Sequence, residues 1–210
     1  MKIRQKERAS MCQKIKEIHG LQPNDILSAY LDDAVPFVNM EDILLKMRIP
    51  CIKADFSELK KQLNLPKDDA IRGLAASRGN ELIIAYSEKI DLPMRNYVLA
   101  HELGHCCLHL PISTEFHVEL KVGNDVYSDS LFSLRKLPWI RRQSNSKKFL
   151  LKESEADTFA TELLLPDFLL GKYRSHNFSW TAQSLSKYFK VPLHIAQIRI
   201  DSYYGKSGDE

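Results

Sequence analysis

Only four cysteines occur in 210 residues, and they lack the spacing of a disulfide framework, which argues against a stapled secreted scaffold and for reduced thiols. No apolar run approaches the roughly 20 residues that span a bilayer, so a membrane partner is not expected. The basic start, Met1-Lys2-Ile3-Arg4-Gln5-Lys6, is not followed by the apolar stretch of a secretory signal. There is no internal repeat and no low-complexity tract. Nor is there a strong excess of charge: a net +3 permits an acidic partner without arguing for one. What is present, 44% hydrophobic residues, suffices for one sizeable core. These features predict a cytoplasmic, single-domain protein over residues 1–210.

The chemistry concentrates in His101-Glu102-Leu103-Gly104-His105. Asp91 is placed to cap a helix, Pro93 fits its first turn and Pro111 forbids its continuation, so the spacing predicts a helix over 92–109. On that helix His105 lies about 40° from His101, on the side of Met94, Tyr97, Val98 and Leu108, so both imidazoles face inward one turn apart and can grip one zinc ion. Glu102 then stands beside the metal's open position. Gly104 costs a helix about 1 kcal/mol relative to alanine, which implies that another element packs against the backbone there.

Catalytic zinc takes three protein ligands, so a third must come from elsewhere. Leu108 and Pro111 stand where a metzincin requires glycine and histidine, which excludes that class. Downstream, Lys152 to Leu165 reads as a second helix stopping at Pro166. On its wheel Glu153, Ala156, Asp157, Ala160 and Leu164 share one largely apolar face, while Glu155 points to solvent with Thr158 and Glu162. A carboxylate within an apolar stripe is costly to bury unless a cation meets it, which makes Glu153 the third ligand. Asp157, one turn on, is suited to accept a hydrogen bond from the non-ligating nitrogen of His101 or His105. His109 lies about 80° from His101, off the metal face, and is expected to interact with the helix C-terminal dipole rather than to ligate. Cys106 and Cys107 are expected to be packing residues.

Around these helices, residues 1–20 read as a basic helical arm, and Asp25–Leu31 and Met40–Met47 as short helices. Ile49–Ala54 reads as a strand, and Ile71–Ser77 with Glu81–Tyr86 as a hairpin about Arg78-Gly79-Asn80. The expected fold is α+β: a compact zincin-like domain with N-terminal helices, a small mostly antiparallel sheet, two packed site helices and a C-terminal helical pair over 178–205. Between the site helices, residues 111–149 form an insertion. Alternation over Phe116 to Val122 and a turn at Gly123-Asn124-Asp125 predict a second hairpin. No acidic residue occurs from Ser130 to Lys152, while Arg135, Lys136, Arg141, Arg142, Lys147, Lys148 and Lys152 are basic. That stretch reads as a solvated loop, with a lid or exosite for an acidic surface as the sharper alternative. In the C-terminal pair, broken at Val191-Pro192, Lys190 stands where a helix-turn-helix turn favours glycine, so the pair is read as core packing rather than a nucleic-acid contact.

The strings R-N-Y-V-L-A-H-E-L-G-H (Arg95–His105) and E-S-E-A-D-T-F-A-T-E-L-L-L-P (Glu153–Pro166) resemble the ImmA/IrrE family of zinc metallopeptidases. The likeness is close over the two site helices and looser over 21–110 and 150–204. It implies zinc held by His101, His105 and Glu153, catalysis by Glu102, and a helix-turn-helix repressor of a mobile element or stress response as substrate. One departure is the segment 106–152 between the ligands, which is longer than usual in that family. Zinc lowers the pKa of bound water from 15.7 to about 7, and Glu102 would take and return its proton. Tyr97, Tyr173, His176 and His194 are the available donors to an oxyanion. The competing expectation is a regulatory protein using a zincin fold without turnover to bind a repressor or DNA. An intact Glu102 favours the enzyme, since a binding module needs no base beside the metal.

Overall fold

The computed structural model describes residues 15–32, 34–62, 70–78, 81–109, 115–117, 120–122, 125–127, 131–134, 147–176 and 179–206. Most of the expected basic arm (1–14) and the middle of the basic stretch (135–146, with Arg135, Lys136, Arg141 and Arg142) lie outside the described residues. In order, the elements are α1 (Ile15–Ile18), α2 (Pro23–Tyr30), α3 (Met40–Lys46), β1 (Cys51–Ala54), α4 (Ser57–Gln62), β2 (Gly73–Arg78), β3 (Glu81–Ser87) and α5 (Leu92–His109). There follow β4 (Glu115–His117), β5 (Leu120–Val122), β6 (Asp125–Tyr127), β7 (Leu131–Leu134), α6 (Lys147–Leu164), α7 (Asp167–Ser175), α8 (Ala182–Phe189) and α9 (Leu193–Lys206).

Local chemistry sets the helix starts. Pro23 opens α2, where the backbone N–H of Gln22 donates to Asp25 at 2.8 Å. Asn39 caps α3 by accepting from the N–H of Glu41 at 3.1 Å, and acidic residues in the first turn with Lys46 in the last match the helix dipole. Thr181 caps α8 by accepting from the N–H of Ser184 at 3.2 Å.

The main sheet has the order β1-β3-β2-β7-β4. β1 runs parallel to β3, and the other neighbours are antiparallel, as the expected mostly antiparallel sheet requires. β2 and β3 form the expected hairpin, closed by the Arg78–Glu81 pair. α5 lies against these two strands and packs most extensively on α6. The core is continuous across them: Ile26, Met40 and Leu44 of the N-terminal helices, Leu82 and Ile84 of β3, Leu99 and Leu103 of α5, and Leu163 and Leu164 of α6 are buried. Each such side chain contributes about 1.5–3 kcal/mol when removed from water.

Four features differ from expectation, the first being α4 (Ser57–Gln62), which the sequence reading does not include. The segment between the site helices is more than a hairpin and a loop: β5 and β6 pair as expected, with Val122 opposite Asp125, but β7 also joins the main sheet along β2 and carries β4 on its outer side. The alternation from Phe116 to Val122 is therefore two short strands in two sheets. Edge pairing explains the capture, since β2 would otherwise present a row of unpaired backbone groups. Next, α6 begins at Lys147, five residues before the expected start at Lys152, so Lys147 and Lys148 are helical. Finally, Pro166 ends α6 yet also caps α7, a helix the sequence reading does not anticipate.

The C-terminal pair turns at Lys190, which takes the left-handed conformation (φ 55°, ψ 50°) that glycine usually supplies. Asn96, fully buried on α5, ties that turn to the rest of the fold. Its Nδ2 donates to the Lys190 carbonyl at 3.2 Å, and its Oδ1 accepts from the N–H of Met40 at 3.3 Å. On α9 the exposed positions are Leu193, His194, Gln197, Ile198, Asp201 and Ser202, whereas Arg199 turns inward to the Leu165 carbonyl and Asp167.

Candidate metal centre

α5 begins where its sequence dictates. The Asp91 side chain accepts from the N–H of Met94 at 3.0 Å, and the Asp91 carbonyl accepts from the N–H of Arg95 at 2.8 Å. Ten residues on, the inward face presents His101 and His105. Gly104 marks the closest approach of α6: a Cβ built on it would lie 3.0–3.1 Å from Phe159, inside ordinary van der Waals separation. That contact sets how closely α6, which also carries Glu153 and Asp157, approaches α5.

The donor atoms converge. Nε2 of His101 and Nε2 of His105 lie 2.9 Å apart, and Glu153 places its two oxygens 3.6 Å from the first and 3.4 Å from the second. A tetrahedral zinc with Zn–N near 2.0–2.1 Å holds neighbouring ligand atoms about 3.3 Å apart, so this donor set matches the ion in both chemistry and spacing. His105 is buried, and the side chains of His101 and Glu153 are 17% and 15% exposed, which leaves a narrow open side. His101, His105 and Glu153 form a metal-competent group among the described residues.

The distal nitrogens are engaged elsewhere. Nδ1 of His101 donates to Oδ1 of Asp157 at 2.7 Å, which turns its Nε2 toward Glu153. Asp157 also accepts from the Tyr97 hydroxyl at 2.6 Å. Burial opposes charge on His101, but hydrogen bonds to Asp157 and Glu153, with the negative charges of Glu102 and Asp157, outweigh it and push its pKa up to about 9 in the metal-free protein. Such a ring is a proton-filled cation site. His105 differs: its Nδ1 lies 3.0 Å from Nδ1 of His109, whose Nε2 is 2.7 Å from Glu155. Glu155 is exposed, as expected of a solvent-facing residue, yet it is not solitary, and His109 does more than meet the helix dipole.

Glu102 sits where α5 crosses the start of β2. Gly73 makes room for Val98, from which a Cβ there would lie 2.2 Å, while the Glu102 side chain stands in ordinary contact at 3.5 Å from the same point. Behind the site, Arg95 pairs with Glu41 at 3.2 Å and its guanidinium stands 5.5 Å from the Tyr86 ring centre, fastening α5 to α3 and β3. Sequence reasoning missed Gly73, Asn96 and Arg95 as supports, because each acts through a partner remote in sequence. Cys106 and Cys107 are buried as expected, and burial raises both thiols, Cys107 to about 12.

Of the four candidate oxyanion donors, Tyr97 spends its hydroxyl on Asp157 and Tyr173 donates to the Ser179 carbonyl at 3.1 Å. His176 directs Nδ1 to the Lys172 carbonyl at 2.7 Å. His194 stands edge-on to Tyr97 with ring centres 5.9 Å apart and is exposed, and its ring nitrogens bond to no described residue.

Comparison with known proteins agrees with this geometry. The model of the Peptidase M78 family, described as the IrrE N-terminal-like domain, matches residues 66–201, which include both site helices and the hairpin beneath them. Immunity region protein 2 of Bacillus phage phi105 is similar, with 30% identity over 116 residues, 55% of this chain. The match spans 57% of that relative's length.

Proposed function

The chain belongs to the Peptidase M78 (IrrE N-terminal-like) family, and from this premise we propose that it is a zinc-dependent endopeptidase that cleaves a helix-turn-helix repressor of a mobile element or stress response. The observation that carries the reading is the convergence of the His101, His105 and Glu153 donor atoms, with the negative charge of Glu102 close enough to act on His101. The choice of substrate rests on the family resemblance and on the similarity to a phage immunity region protein. No helix among the described residues is long and apolar enough to cross a membrane, which is compatible with a cytoplasmic repressor as target.

His101, His105 and Glu153 would hold the ion, which when bound acidifies water and polarises a carbonyl. The chain's own residues supply the rest. Asp157 fixes the orientation of His101 by accepting from Nδ1–H, which would leave Nε2 to hold the ion. Glu102 takes a proton from the attacking water and delivers it to the departing amine nitrogen, a contribution of about 10²- to 10⁴-fold. The narrow opening left by the buried His105 and the mostly buried Glu153 keeps bulk water from these polar groups and strengthens their fields.

The test is metal analysis of the purified chain, coupled to mass spectrometry of candidate repressors incubated with it and with Glu102→Gln. The expected outcome is stoichiometric zinc in both proteins and discrete repressor fragments only with the unaltered chain. Equal cleavage by Glu102→Gln would remove Glu102 from catalysis. Zinc-loaded protein that binds repressor without fragmenting it would instead favour a binding role.

A further inference from the structure

The second histidine of the motif has a support of its own on the far side of the ring. The His105 side chain is 0% exposed, so its Nδ1 cannot turn to water, and the group within reach is Nδ1 of His109 at 3.0 Å. His109 is itself only 7% exposed and reaches Glu155 through Nε2 at 2.7 Å, while Glu155 is 46% exposed. The order of burial runs from the core to the surface along three side chains contributed by both site helices.

We propose that His109 and Glu155 form a relay that fixes the tautomer and orientation of His105 as a metal ligand. The inference rests on the metal-centre reading above. A carboxylate accepts only, so Glu155 takes the Nε2–H of His109. His109 then has a bare Nδ1, which accepts the Nδ1–H of His105. His105 is left with an unprotonated Nε2, the atom that lies 2.9 Å from Nε2 of His101 and 3.4 Å from Glu153. Every hydrogen has one place in this chain, and the result is the tautomer a metal requires. With a metal bound in place of the proton on Nε2, His101 would reach the same state in one step through Asp157, so the two ligands are oriented by separate carboxylates. Both carboxylates belong to α6, two residues apart, and Glu153 lies two residues before Glu155. One helix therefore supplies a ligand and the anchors for both histidines. His109 and Glu155 are positioning residues: neither belongs to the group of donor atoms that converge on the cleft.

The test measures zinc affinity of the full chain by competition with a chromophoric chelator, and follows exchangeable imidazole protons by proton NMR of the cobalt-substituted protein. Loss of an outer partner of a ligating histidine typically weakens binding 10- to 100-fold, so His109→Ala should fall in about that range and lose the shifted Nδ1–H resonance of His105. His109→Gln can accept from His105 through its carbonyl and donate to Glu155 through its amide, and should recover most of the affinity and the resonance. Glu155→Ala, at a position 46% exposed, should lie near the lower end of the same range and keeps the question open to test if His109→Ala does not fold. Unchanged zinc affinity in both His109→Ala and Glu155→Ala would overturn the relay. Equal weakening by His109→Ala and His109→Gln would reduce His109 to a space-filling role and overturn it as well. If the unaltered chain binds no zinc, the metal-centre reading itself falls, an outcome distinct from either of these.

Discussion

Replacing Gly104 with alanine tests whether the approach of α6 to α5 sets the metal geometry. Alanine improves intrinsic helix propensity by about 1 kcal/mol at an interior position. Against this, the new Cβ would lie 3.0 Å from Cδ1 and 3.1 Å from Cβ and Cγ of Phe159, where carbon atoms prefer about 3.5–4.0 Å. Phe159 is 3% exposed and sits among core residues, so it cannot swing away, and α6 must retreat by a few tenths of an ångström. Overpacking of this kind costs about 1–3 kcal/mol, giving a net loss of about 1 kcal/mol, or roughly 2–4 °C in Tm for a chain of this size. Glu153 and Asp157 ride on the same helix, so zinc affinity should fall with stability. Denaturant unfolding of metal-free protein and chelator competition would measure the two effects. Adding Phe159→Ala removes Cγ and Cδ1 and should relieve most of the clash, with a favourable coupling of about 1 kcal/mol in the double-mutant cycle. If Gly104→Ala is as stable as the parent and binds zinc undiminished, the glycine does not govern how the helices meet.

Further outcomes follow from the same contacts. Glu153→Ala should abolish stoichiometric zinc binding while leaving the far-ultraviolet circular dichroism of the fold intact, checked by metal analysis after dialysis. In metal-free protein His101 titrates near 9, above the ordinary histidine value of about 6.5, so its favourable contribution is complete below pH 6.5 and is lost as pH rises through 9. Unfolding measured across that window should lose up to about 3 kcal/mol, and less in Asp157→Asn; a flat profile would contradict the assigned partners. Asn96→Ala leaves the N–H of Met40 and the carbonyl of Lys190 without their buried partner and should cost about 2–4 kcal/mol in chemical denaturation.

Much of the site was legible because its signals are local. Asp91, Pro93 and Pro111 bracket α5, and helical geometry alone places His101 and His105 together and sets Glu153 and Asp157 on one face of α6. Gly104 announced a close neighbour, and Phe159 is that neighbour. The His109 contact escaped because its angle was reckoned from His101, whereas the ring it meets is that of His105, only about 40° away on the wheel. Glu155 was correctly placed outward, but an outward side chain at the edge of a helix pair can still reach across it. Gly73, Asn96 and the capture of β7 by β2 depend on long-range pairings that leave no periodic trace in the chain.

The excursion between the two ligand helices leaves α5 at His109, crosses to the free side of β2 and returns at Lys147. Its two ends are pinned by helices already locked to each other through a shared interior, so the cost of a longer tether is almost wholly configurational. That cost grows as the logarithm of length, about 0.6 kcal/mol per doubling. A spacer of this length can therefore be accommodated here without the converging donor atoms registering it.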